Sequence, residues 1–206
     1  MSRGLLAMLL LAHTTVAPAQ TINPPPTPSR ARVAGLFLGG AAVAFGAHES
    51  GHLVFDLLFD ADPGVGSVDF HGMPFFAIIH RSGLSPKREF TISSAGFWVQ
   101  HGGSEWVLTR RPNLRREHAP FAKGVLAFNV LTSMAYAGAA LARTGPFERD
   151  TRGIAASSRV DERWVGAMLL VPAAFDTCRY FAPDQKWAVW VSRAAKVGMV
   201  LLIAKD

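Results

Sequence analysis

The chain has 206 residues, 50% hydrophobic and only 17% charged, with a formal net charge of +6. A soluble domain carries about 25% charged residues, so the composition argues against a soluble globular protein and against a disordered one. The basic residues flank long apolar runs, as bilayer anchors do. No Lys/Arg stripe interleaves with aromatics, which excludes nucleic acid as the partner. The single cysteine, Cys178, excludes an intramolecular disulfide framework and a Cys-only zinc site.

Residues 1–20 read as a signal peptide or N-terminal anchor. Arg3 gives a positive start, residues 5–12 an apolar stretch and Ala17-Pro18-Ala19 a cleavage signal. Residues 21–32 form a Pro-rich linker around Pro24-Pro25-Pro26-Thr27-Pro28. Residues 33–206 read as one membrane domain. Its first apolar stretch, 33–59, reaches about 40 Å as a helix, enough to cross a bilayer. Residues 65–80 follow with alternating and β-prone character around Gly72-Met73-Pro74, which predicts a hairpin. Further spans are expected at 90–108, 121–142, 164–181 and 187–204. A polar loop at 143–163 separates the third span from the fourth. The expected fold is all-α, a multi-pass transmembrane bundle of about five spans with a small β-hairpin after the first. Orientation is open. A cleaved signal would leave the basic 110–116 loop outside, against the positive-inside tendency.

The first span carries His48-Glu49-Ser50-Gly51-His52, an H-E-x-x-H motif. Residues i and i+4 share a helix face, so both imidazoles can hold one metal while Glu49 serves as general base. Zinc suits two imidazoles and a carboxylate with one position left for water. Ionisable groups inside a span are costly and by default functional. Asp176, in the middle of the fourth span, is the expected third ligand, with Arg179 on the same face as its other candidate partner. His101 and Glu105 are the rival ligands. Asp56, a turn beyond His52, reads as an orienting group or an interfacial charge. His71, His80 and His118 read as loop histidines, at the surface or at an interface.

These residues resemble the site-2 protease class of intramembrane zinc metalloproteases (peptidase family M50). The resemblance runs over about residues 33–180 and is carried by the H-E-x-x-H inside a span, the hairpin and the Asp-bearing span. It implies an integral, multi-pass protein of a bacterial inner membrane. The implied activity is zinc-dependent endopeptidase cleavage of transmembrane segments of other membrane proteins. In the family an L-D-G aspartate completes the zinc site, and Phe175-Asp176-Thr177 matches only the aspartate. A G-P-x-x-N asparagine there helps hold substrate or the oxyanion. Gly96-Phe97-Trp98-Val99-Gln100 keeps the glycine and an amide, which gives that role to Gln100. The family has one span between the motif helix and the aspartate helix, and this chain has two. Either the third span is an insertion or one span is re-entrant, in which case Asn129 offers the amide instead. The competing expectation is a non-proteolytic membrane metal-binding protein that holds a partner helix.

Overall fold

A computed structural model describes residues 28–70 and 73–204. The expected signal, most of the Pro-rich linker and His71 lie outside them. Six helices and a two-stranded sheet follow in the order α1 (Arg30–Leu58), β1 (Gly64–Phe70), β2 (Met73–Ile79), α2 (Pro86–Arg110), α3 (Pro120–Ala142), α4 (Asp150–Ser158), α5 (Glu162–Phe181) and α6 (Lys186–Ala204). The helical architecture with its hairpin agrees with the sequence.

Local chemistry sets the boundaries. Ser29 caps α1 by accepting from the Arg32 amide, and Ser85 caps α2 ahead of Pro86. Asp161 caps α5. Arg143 and Arg159 end α3 and α4 in the left-handed conformation. β1 and β2 pair antiparallel from Gly64 opposite Ile79 to Phe70 opposite Met73.

Helix α3 is central and packs on α1, α2, α4 and α5. Its seam with α1 brings backbones together. A Cβ on Gly40 would lie 2.1 Å from the Phe121 carbonyl oxygen, and one on Gly124 would lie 1.9 Å from that of Phe37. Only glycine permits this approach. Phe97, Ala137, Ile154, Val165 and Leu169 form one core cluster, joining α2, α3, α4 and α5. Val107, Leu108, Leu114 and Leu126 form another.

One expectation needs correction. The polar stretch 143–163 contains α4, whose Thr151, Ile154 and Ala155 are buried. The small residues around Ile154 leave α4 a narrow apolar face, too short to register as a span. Two helices, α1 and α3, are long and apolar enough to cross a membrane. Large apolar side chains such as Leu38, Leu58, Trp106, Leu131, Trp164 and Trp190 lie outside, while His48, His52, Asp56, Gln100, Asn129, Asp176 and Arg179 are buried. Buried polar groups beside apolar core clusters, with this many large apolar side chains exposed, depart from the usual arrangement in water.

Candidate metal centre

Three elements meet around the H-E-x-x-H turn of α1. His48 and His52 project from one face, with their Nε2 atoms 3.2 Å apart. His52 Nδ1–H donates to the Ile92 carbonyl of α2 at 2.8 Å. That bond fixes the tautomer and leaves Nε2 with a free lone pair. One turn further along α2, Gly96 faces the rings. A Cβ there would lie 2.4 Å from His48 Cε1 and 2.5 Å from His52 Nε2. Helix α2 therefore orients one imidazole and makes room for both.

The third corner is Asp150, in the first turn of α4. Its Oδ2 is 3.4 Å from His48 Nε2 and 3.5 Å from His52 Nε2. Among the described residues, these three are the group placed to hold a metal ion. A tetrahedral site with ligands about 2.0–2.1 Å from zinc has ligand-to-ligand edges of about 3.3–3.4 Å. The observed edges bracket that value. Asp150 Oδ2 has no hydrogen-bond partner among the described residues, although it is buried. The donor set, its spacing and that orphaned oxygen fit a divalent cation of the zinc type. Burial alone would raise the Asp150 carboxyl, but the imidazoles, when protonated in the metal-free protein, outweigh it and hold it below the usual carboxylate range.

The position of α4 is set from behind. The Arg149 guanidinium donates to both oxygens of Glu162 at 2.6 Å, and Thr151 Oγ1 donates to Glu162 at 2.7 Å. The start of α5 thus holds the start of α4. Asp150 also lies where the helix dipole favours a carboxylate.

Glu49 is half-buried beside the pair. Its Oε2 accepts the Ile78 amide of β2 at 3.0 Å. Gln100 is buried one turn beyond Gly96. Its Oε1 accepts from Ser133 at 3.5 Å and its Nε2 has no partner among the described residues. Asn129 of α3 packs on Gly103 of α2. Tyr136, also on α3, stacks obliquely on His48 with ring centroids 6.3 Å apart.

Asp176 is not in this group, which corrects the expected ligand set. Its Oδ1 accepts from Ser192 at 2.6 Å, from Lys196 at 2.8 Å and from Arg179 at 3.4 Å. The cation on its own helix face is part of the answer and α6 supplies the rest. Glu105 is likewise taken, by Arg179, Arg193 and Lys196. His101 is buried but lies outside the triad. Asp56 is fully buried and faces His80, so His80 is no surface histidine. His118 is exposed, as expected.

Asp150 escaped the sequence because an acid opening a short helix in a charged loop is commonplace. Asp176 drew attention because a carboxylate in an apolar run is not. Its compensating lysine lies on another helix, and linear spacing does not reveal it. Protein-family models, curated proteins and solved structures were compared with the chain, and none matches.

Proposed function

We propose that the protein is an intramembrane zinc-dependent endopeptidase, similar to the site-2 protease class, that cleaves transmembrane segments of other membrane proteins. The observation that carries this reading is the near-equilateral His48–His52–Asp150 triangle with Glu49 beside it. A metal-binding protein needs the triangle, and a hydrolase also needs the base. The apolar exterior around a polar interior supports an integral protein. Helices α1 and α3 cross the bilayer, and α2, α5 and α6 cross beside them. Arg179, Arg193 and Lys196 on those helices are paired with Glu105 and Asp176, which offsets two of the three positive charges.

His48, His52 and Asp150 would hold the ion, in place of the expected trio with Asp176. Bound Zn²⁺ supplies Lewis acidity toward a peptide carbonyl and acidifies water toward a pKa of about 7. Glu49 accepts the proton of the attacking water and returns it to the leaving amine. Gln100 turns an otherwise unpaired amide toward the developing oxyanion. A helical substrate hides its carbonyls, so it must unwind locally. The outer edge of the hairpin along β1, which pairs only with β2 among the described residues, offers backbone groups to such an extended segment.

The test is Glu49→Gln in the purified full chain. The variant should keep one zinc per chain and lose cleavage of a transmembrane model substrate by at least about a hundredfold. Cleavage at the wild-type rate would refute the role of Glu49. A second reading, a non-proteolytic protein that binds a partner helix, is favoured by the Ile78 amide already resting on Glu49. It predicts partner binding that Glu49→Gln leaves unchanged, with no cleavage by the wild type.

A further inference from the structure

Strand β2 lies along α1 in the same direction, in three successive contacts. The Phe76 ring meets Phe45 edge-on at 5.0 Å, the Ile78 amide meets Glu49, and His80 meets Asp56. Four residues of strand advance about 13 Å and eleven of helix about 16 Å, so the two elements keep pace. The last contact is the polar one. His80 Nδ1 is 3.4 Å from Asp56 Oδ1 on α1, and His80 Nε2 is 3.0 Å from Glu89 Oε2 on α2. The imidazole is therefore clasped at both nitrogens by carboxylates from two helices. Asp56 is fully buried, and neither of its oxygens has a hydrogen-bond partner among the described residues, so His80 is the cation it faces. Glu89 is braced in turn, since Ser93 Oγ donates to its Oε1 at 3.3 Å. A Cβ on Gly153 of α4 would fall 2.2 Å from that hydroxyl, which ties the clasp to the helix carrying Asp150.

We propose that His80 is a positioning residue for Glu49. Clasped between Asp56 and Glu89, it holds β2 in the register that places the Ile78 amide on the Glu49 carboxylate, and loss of its proton releases that strand. The inference depends on the peptidase reading only for what Glu49 does, not for the clasp. Only Ile79 lies between Ile78 and His80, so little slack lies between the clasp and the amide it sets. With His80 protonated, Nε2–H donates to Glu89 and Nδ1–H faces the Asp56 carboxylate as an ion pair. With it neutral, one carboxylate loses its donor and is left buried opposite a lone pair. The groups facing His80 are Asp56 and the more distant His52 from α1, and Glu89 from α2. The Glu89 hydrogen bond raises the His80 pKa above its ordinary value, burial opposes it, and the two carboxylates add to the rise. Glu89 is lowered by the same bond to His80. A raised histidine contributes fully below about pH 6.5 and fades as pH climbs through its folded value, while a lowered glutamate contributes above about pH 4.3. The clasp is therefore shut at mildly acidic pH and opens as pH rises through the raised folded value of His80.

Amide hydrogen exchange of the 73–80 segment, corrected for the intrinsic pH dependence, tests this in the full chain in lipid nanodiscs with zinc. In the wild type, protection should hold at mildly acidic pH and fall as His80 loses its proton. His80→Gln and Glu89→Gln should each raise exchange at mildly acidic pH by about tenfold and flatten its pH dependence, with zinc stoichiometry and helix content unchanged. Wild-type protection in both variants, or a profile in His80→Gln still following the wild type, would overturn the proposal. Strand release in the variants, with no cleavage by any form, would support the clasp and sink the peptidase reading. Intact cleavage with an unresponsive strand would do the reverse.

Discussion

Replacing Asp150 with Ala and, separately, Asp176 with Ala separates the observed triad from the expected one. Its edges of 3.2, 3.4 and 3.5 Å already match a tetrahedral face, so binding needs little rearrangement of the protein. Loss of a group that merely orients a ligand costs about 10–100-fold in metal affinity. Loss of one of three ligands should exceed that, giving at least about a hundredfold, or about 2.7 kcal/mol. Asp176→Ala should leave zinc affinity within about threefold of the wild type. It removes the acceptor of buried Ser192 and one of the two acceptors of half-buried Lys196, which keeps Glu105, so the cost falls below the about 3–5 kcal/mol of a fully broken buried pair. That variant should therefore melt early while holding its metal. Chelator competition and metal analysis of purified protein read the first effect, and thermal unfolding in detergent reads the second. Full zinc affinity in Asp150→Ala, or its loss in a folded Asp176→Ala, would refute the assignment.

Gly96→Ala should weaken zinc binding at least about tenfold and cost about 1–3 kcal/mol, because the methyl group would overlap both imidazoles; metal titration and thermal unfolding measure the two effects. Gly124→Ala should lower the melting temperature by forcing α1 from α3, again at a cost of about 1–3 kcal/mol, while Gly138→Ala, with open space around it, should not. For Glu162, burial opposes ionisation, but hydrogen bonds from Arg149 and Thr151 prevail and hold its pKa below the ordinary value. Its contribution is thus present above about pH 4.3 and lost as pH falls through the folded value. Thermal unfolding against pH should show an acid limb that Glu162→Gln flattens.

Much of this architecture was legible in the sequence because it rests on local rules. Apolar runs give the long helices, and the alternation from Val65 onward gives the hairpin. The two histidines and Glu49 were legible because their spacing is itself the chemistry. Gly96 was singled out by a weak motif match and sits against both rings. The third ligand was hidden because it depends on where a short helix folds back. What reveals Asp150 is the Arg149–Glu162 bridge, a contact between two charged residues in a stretch where such pairs are routine. His80 was misread for a related reason. Nothing along the chain indicates that Asp56 and Glu89, far apart in sequence, close on it from two helices.

The Gly40–Gly124 crossing limits how α1 and α3 can move against each other. Where backbone rests on backbone, no side chain can swing aside, so that flank of α1 is a fixed wall rather than a doorway. The H-E-x-x-H turn, further along the same helix, is thereby anchored to the central helix of the bundle.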